Sequence, residues 1–284
     1  MAINNNTASI PKNNIVTSKD GTIISYQTTG SGPGLILIHG VLSTSKNYRR
    51  LAEFLGKNFT VYSIDRRGRG LSGAQGDDYS MKKECEDIEA LQQQTGAIYL
   101  FGHSYGGLIA LEVACSNKQF KKIAVYEPGV SVDGSISIDW MPAYQKYLAD
   151  KKYLDAFAVF SIGAGPENAR KMPLWLMKTI LPFFVKNPER EEKYNLLQSN
   201  LLEHQAVASR DDTYQNYQAI SADVLLMYGG KSNLRWVDKA IKTLSEVLPV
   251  SEKRKFPKLD HFGPDKTGPE VVAENVTKFF TNKN

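Results

Sequence analysis

GHSYGG, residues 102–107, joins a short apolar run, IYLF (98–101), to a helix-forming run, GLIALEVAC (107–115). Gly102, Ser104 and Gly106 spell G-x-S-x-G at a strand-to-helix turn. A turn that tight strains the backbone at Ser104 and lifts its hydroxyl to where a substrate can reach it. The flanking glycines lack a Cβ and let the neighbouring strand and helix close up around the turn. The first turn of the helix adds N–H groups without intrahelical partners beside that hydroxyl.

Outward from this turn the chain alternates. LILIHG (35–40), FTVYSID (59–65), KKIAVYEPG (121–129) and DVLLMYGG (223–230) are nearly continuous apolar runs, as expected of strands buried on both faces of a parallel sheet. Between them NYRRLAEFLG (47–56) and YSMKKECEDIEALQQQTG (79–96) carry apolar residues at helical spacing, the second with Met81, Cys85, Ile88 and Leu91 on one face. VTSKDGTIISYQTT (16–29) reads as a hairpin turning at Asp20-Gly21, KRKF (253–256) as a short strand, and a last helix starts near Pro269. The pattern predicts βαβ units, hence an α/β fold with helices on both sides of the sheet. From about 131 to 220 the alternation stops, and helix-forming pieces broken by prolines read as a helical insertion. The expected organisation is therefore a flexible polar tail over 1–14, a core over 15–130 and 221–284, and the insertion over 131–220.

Composition narrows the function class. The 284 residues are 42% hydrophobic and 23% charged, the balance of a globular enzyme. No apolar run reaches the roughly 18 residues of a membrane span. MAINNNTASIPKNN has neither the basic start nor the apolar centre of a secretory signal. The net charge of +5 is scattered and forms no stripe of the kind nucleic acid requires. Two cysteines, Cys85 and Cys115, lie in expected helices, which argues against a disulfide framework and for a reducing cytoplasm. No His, Cys, Asp and Glu cluster has metal-ligand spacing, so neither metal nor cofactor is expected.

HG (39–40), DRRGRGLSG (65–73), GHSYGG (102–107) and DHFGP (260–264), in this order and each at a strand end, resemble the α/β-hydrolases over residues 15–284. The resemblance implies a mostly parallel eight-stranded sheet with a helical cap inserted after the sixth strand. It places the nucleophile at Ser104 and the general base at His261. The pairing makes chemical sense, because a serine hydroxyl attacks poorly until a base takes its proton, and an imidazole both accepts and returns a proton near neutral pH. Of the four histidines, His103 sits inside the turn, His39 reads as a structural hydrogen-bonder, and His204 lies in the insertion. Backbone N–H groups of Val41 and Tyr105 are the implied oxyanion donors.

The triad acid departs from the family pattern. The resemblance puts an aspartate after the seventh strand, three residues beyond a glycine, where this chain has Ser232. Glu127, closing the sixth strand, is the carboxylate best placed to hold His261, the alternative being a structural carboxylate paired with a nearby Arg or Lys. Asp65 and Arg66 are expected to knit the loop beside the site, Asp238 to lie too far away, and Asp260 to shape its own loop. Glu203 and His204 read as surface or hydrogen-bonding residues of the insertion. Its aromatic residues, Trp140, Tyr144, Tyr147, Phe157, Phe160, Trp175, Phe183 and Phe184, are expected to hold it together, with some facing Ser104.

These residues point to a serine hydrolase that forms an acyl-enzyme on a small, largely apolar ester or lactone. A cofactor-free lyase or a non-catalytic ligand-binding protein on the same scaffold is the alternative, its support being the missing acid at position 232. The implied partner is a small-molecule substrate, and the oligomeric state stays open.

Overall fold

Apolar runs too continuous to present a polar face form the middle of one sheet. In a computed structural model that describes residues 12–282, the strands are β1 (Lys12–Thr17), β2 (Ile23–Thr29), β3 (Gly34–Ile38), β4 (Thr60–Ile64), β5 (Tyr99–His103), β6 (Lys122–Tyr126), β7 (Asp223–Gly229) and β8 (Ser251–Phe256). They lie in the order β1-β2-β4-β3-β5-β6-β7-β8. β1 pairs antiparallel with β2 and β2 with β4, and every other neighbouring pair is parallel. The expected mostly parallel, eight-stranded α/β-hydrolase sheet is thus present.

The helices in chain order are α1 (Arg49–Leu55), α2 (Met81–Thr95), α3 (Tyr105–Ser116), α4 (Met141–Ala149), α5 (Tyr153–Gly163), α6 (Glu167–Arg170), α7 (Leu174–Phe184), α8 (Glu189–Asn195), α9 (Leu197–Ala208), α10 (Arg235–Val247) and α11 (Pro269–Thr281). Successive strand residues point to opposite faces, and the core divides accordingly. Ile36, Ile38, Leu100, Val125 and Leu226 face one cluster, where α2, α3 and α10 contribute Ile88, Leu108 and Ile241. Leu35, Leu37, Phe101, Ala124 and Leu225 face the other, where α1 and α11 contribute Leu51, Leu55, Val272 and Val276. Each such side chain taken from water contributes about 1.5–3 kcal/mol, and the double layer fixes every strand end in space.

The N-terminal hairpin turns at Asp20-Gly21, where Asp20 Oδ1 accepts the Thr22 N–H at 3.0 Å and Gly21 takes φ +83°. Its first strand begins at Lys12, inside the stretch expected to be a tail, while residues 1–11 of that tail lie outside the described residues. The correction has a backbone cause. An edge strand such as β1 is held mainly by its ladder with β2, and the Asn14 side chain adds a bond to Thr28 at 3.0 Å, so polar residues pair there without an apolar signature.

Between β6 and β7 the chain builds α4–α9 around a third apolar cluster of Trp140, Tyr144, Phe157, Leu181 and Leu201, joined by Leu42 from the loop after β3. Val132 and Tyr217, at the two ends of this stretch, pack instead into the sheet-side cluster of α3 and α10.

The join between β5 and α3 depends on close backbone approach. A Cβ on Gly106 would stand 2.3 Å from the Ile38 carbonyl oxygen and 2.6 Å from that of His39, and one on Gly102 would stand 2.3 Å from the Gly106 carbonyl oxygen. Main-chain atoms of a central strand cannot retreat cheaply. Gly106→Ala is expected to lower stability by about 3 kcal/mol, read as a shift of the urea midpoint; an unchanged midpoint would show that α3 can move away from β3.

Candidate active site

Ser104 sits on the turn between β5 and α3 with φ 55° and ψ −120°, a strained conformation for a residue with a side chain. Two ties hold it there. Its N–H donates to the Tyr126 carbonyl at 3.0 Å, and its carbonyl accepts from Gly107 and Gly129, each at 2.9 Å. The glycines on either side admit this crowding, as their contacts above require.

His261 arrives from the loop after β8. Tyr126, the last residue of β6, donates its hydroxyl to the Asp260 carbonyl at 2.8 Å and so fixes the backbone just before the imidazole. Glu127, the next residue, accepts from His261 Nδ1 through Oε2 at 2.6 Å. Its other oxygen, Oε1, accepts from the Gly229 N–H at 2.7 Å and the Ser232 hydroxyl at 2.5 Å. The Glu127 side chain is fully buried, takes φ 43°, and has no Lys or Arg ion pair among the described residues. A buried carboxylate without a cation needs hydrogen-bond donors, and here backbone, hydroxyl and imidazole supply them. Gly229 is required for this arrangement, since a Cβ there would lie 2.6 Å from the Leu259 carbonyl in the His261 loop.

Ser104, His261, Val41 and Tyr105 all border one cavity of about 660 Å³. Gly40 lies against the serine, where an added Cβ would come within 3.2 Å of Ser104 Cβ. Among the described residues neither the Val41 nor the Tyr105 N–H has a hydrogen-bond acceptor, which leaves both donors for a bound group. With Nδ1–H given to Glu127, the Nε2 lone pair of His261 is the one basic nitrogen the ring has left. The other histidines do not compete. Burial pushes the imidazoles of His39, His103 and His204 below their ordinary range, and His39 is used structurally, Nδ1 bonding the Gly40 carbonyl at 2.8 Å and Nε2 accepting the Arg66 N–H at 3.2 Å.

Behind the Gly40–Ser43 loop lies a group of buried charges. Arg66 reaches Glu84 of α2 at 2.9 Å and Glu203 of α9 at 2.5 Å, its guanidinium also lying 4.7 Å from the centre of the Tyr105 ring. Arg69 pairs with the same Glu203 and donates to the Ser43 carbonyl at 3.3 Å. Asp65 secures the loop differently, its Oδ1 accepting the Ser45 N–H at 2.8 Å. The turn at 65–70 therefore ties α9 to the loop that carries Val41. Breaking one partner of such buried pairs costs about 3–5 kcal/mol.

The cavity wall is mixed. Phe157, Phe160, Leu181 and Phe184 give it apolar surface, while Lys193 reaches the Leu42 carbonyl at 3.3 Å and burial lowers its ammonium pKa. Asp265, four residues after His261, lines this cavity, and no described residue bonds its buried Oδ1. Burial raises its carboxyl pKa to about 6 against the pull of Lys266, His261 and Lys193.

The expected residues thus meet in one place, with Asp260 confined to its own loop, its Oδ1 accepting the Phe262 N–H at 3.0 Å. One expectation is narrowed and one needs correction. Of the two alternatives for Glu203 and His204, surface or hydrogen-bonding, the second holds: both are buried, Glu203 answers two arginines, and His204 lines the cavity with Nδ1 3.0 Å from the Asn200 carbonyl. Of the aromatic residues expected to hold the insertion together, Trp175, Phe183 and Phe184 face solvent. Asn200, Glu203 and His204 are spaced i, i+3 and i+4 on the buried side of α9. Among the described residues no group of His, Cys, Asp and Glu could hold a metal ion.

A model of the Alpha/beta hydrolase family matches residues 35–275. The N-formylmaleamate deformylase of Pseudomonas putida is 35% identical over 109 residues, 37% of this chain and 41% of that one, so the match spans less than half of that relative. The pimeloyl-[acyl-carrier protein] methyl ester esterase of Vibrio cholerae is 26% identical over 90% of this chain and 97% of its own length. Among solved structures, an alpha/beta hydrolase from Sphaerobacter thermophilus superposes with a TM-score of 0.80 at 28% identity, covering 94% of this chain and 100% of that one.

Asp265 generates a pH dependence of stability. Its folded pKa of about 6 lies above the unfolded value of 3.8, so between those values the native state holds a proton that the unfolded chain has lost. The penalty for its charge is absent below about pH 4, grows as pH rises, and is complete above about 6, where it amounts to about 3 kcal/mol. Asp265→Asn, a neutral isostere, is expected to match the wild type at pH 4 and exceed it in stability at pH 7. Urea midpoints that move in parallel across this range would contradict the assignment.

Proposed function

We propose, from the premise that this chain belongs to the alpha/beta hydrolase family and is a hydrolytic enzyme, that it cleaves small, largely apolar carboxylic esters or lactones through an acyl-enzyme on Ser104. The observation that carries the reading is the 2.6 Å bond between His261 and the buried Glu127, made at the edge of the cavity into which Ser104 opens. It fixes which imidazole nitrogen is free to act.

In this reaction the Ser104 oxygen attacks the substrate carbonyl carbon while Nε2 of His261 takes its proton. Glu127 keeps the ring in the required tautomer and stabilises the imidazolium that forms. The carbonyl oxygen becomes an oxyanion between the Val41 and Tyr105 N–H groups, donors already fixed by the turn and by the 65–70 loop and therefore needing no reorganisation. Collapse returns the proton from His261 to the departing alkoxide, leaving the acyl group on Ser104. Water then enters, gives its proton to the same nitrogen, attacks the acyl carbon, and releases the carboxylic acid with Ser104 restored.

Helices α4–α9 act as a cap over this chemistry. Phe157, Phe160 and Leu181 favour an apolar acyl or alcohol group and keep bulk water from the oxyanion. The esterase among the relatives fits an oxygen leaving group.

The expected result with a p-nitrophenyl short-chain ester is a burst of nitrophenol stoichiometric with enzyme, together with labelling by a fluorophosphonate probe. Both should vanish in Ser104→Ala. A folded wild type with neither burst nor labelling would overturn the reading.

A further inference from the structure

Three of the aromatic residues that the cap leaves in water belong to one helix. Trp175, Phe183 and Phe184 of α7 are 68%, 74% and 79% exposed, the highest values among the large apolar residues described. Trp175 and Phe183 lie eight residues apart, two turns along one ridge, with exposed Thr179 between them. The opposite side, Met177 and Leu181, is buried in the cap cluster. So the outward aromatic residues are not needed to hold α7 in place. Soluble surfaces carry single exposed apolar residues without consequence, but here two large rings share one ridge and a third stands at its C-terminal end, which marks a contact.

The surrounding charge says with what. Residues 168–188 contain Arg170, Lys171, Lys178 and Lys186 and no acid. Lys178 is taken up by Asp155 at 2.6 Å, which leaves Arg170 and Lys171 exposed just before α7 and Lys186 exposed just after it. Two copies of this chain meeting through α7 would bring like charges together across a two-fold interface. An 11-residue helix also presents little of the roughly 800 Å² per partner that a stable dimer buries. An anionic surface answers both features. The helix, about 16 Å long, is too short to cross a membrane, and no helix among the described residues is long and apolar enough to do so. Lying flat, it would place Trp and Phe at the boundary of headgroups and acyl chains with Lys and Arg at the phosphates.

We propose that α7 is an interfacial helix that seats this protein on anionic lipid. Phe184 extends the consequence to the active site, since it borders the Ser104 cavity as well as the exposed patch. The mouth of that cavity thereby faces the lipid, and acyl esters held in the surface can enter from it. The docking stands on the patch and its charge alone; the ester supply rests on the serine-hydrolase reading.

The test uses the full chain and sedimentation with vesicles of phosphatidylglycerol and phosphatidylcholine, or of phosphatidylcholine alone. Wild type should bind the anionic vesicles, bind neutral ones at least about tenfold more weakly, and lose the difference in high salt. Trp175→Ala/Phe183→Ala should bind anionic vesicles at least about tenfold more weakly while its turnover of a soluble short-chain ester stays unchanged. Binding of wild type and the double variant to equal extent overturns the proposal, as does no binding by wild type. It is equally overturned if wild type is a dimer that the double variant converts to monomer, or if α7 is covered by an acidic peptide that competes vesicles away without detergent. Ser104→Ala should bind vesicles as wild type does: binding without any esterase activity in the wild type would remove the hydrolase reading and leave the docking, and activity without binding would do the reverse.

Discussion

The carboxylate of Glu127 is shut away from water at the end of β6, and the architecture around it exists to satisfy that charge. One oxygen is taken by the Gly229 N–H and the Ser232 hydroxyl, the other by His261 Nδ1. These donors come from two segments far from Glu127 in the chain, so a single ion clamps the end of β6, the turn after β7 and the loop after β8. The clamp also explains the two glycines at 229–230. The His261 loop passes so close to them that a Cβ on Gly229 or Gly230 would press on the main chain of Leu259 or Pro257. Position 232, where the family resemblance puts an acid, here holds a donor instead. In the proposed triad the acid sits one strand inward, at Glu127, and the turn is its hydrogen-bond partner.

A second set of buried charges performs a comparable service on the other side of the serine. Arg66 and Arg69 share Glu203, and both also reach carbonyls of the Gly40–Ser43 loop, Arg66 at 3.4 Å from Gly40 and Arg69 at 3.3 Å from Ser43. The loop bearing the Val41 N–H is thus fixed by cations that are themselves fixed by an anion on α9. Oxyanion donors lower a barrier only when they are already aimed. In the proposed reaction this network would couple the aim of the Val41 donor to the seating of α4–α9, in a medium where charge interactions are strong because water is excluded.

How much of this was legible in the sequence depended on how local the physics was. The serine turn and the parallel sheet could be read because strain, glycine clearance and strand burial each leave a mark within a few residues. Glu127 could be reached because it follows an apolar strand directly and Ser232 left its usual counterpart vacant. Glu203 could not, since its reason for being buried is Arg66, 137 residues earlier, and a glutamate in a polar-looking helix otherwise signals a surface. The exposed face of α7 was hidden for the converse reason: Trp and Phe are read as core, and only the packing of Met177 and Leu181 reveals which side faces in. The first residues of β1 escaped because the edge ladder with β2 leaves no apolar mark on Asn13 and Asn14.

On the proposed reading, Glu127 orients His261 for attack by Ser104. Its most direct test is kcat/KM of Glu127→Gln on a soluble ester at neutral pH, with the fold checked by its unfolding midpoint. The amide keeps the size of the side chain but offers the wrong partner to Nδ1–H, and a loss of about 10⁴-fold is expected. Activity within about tenfold of the wild type would contradict it.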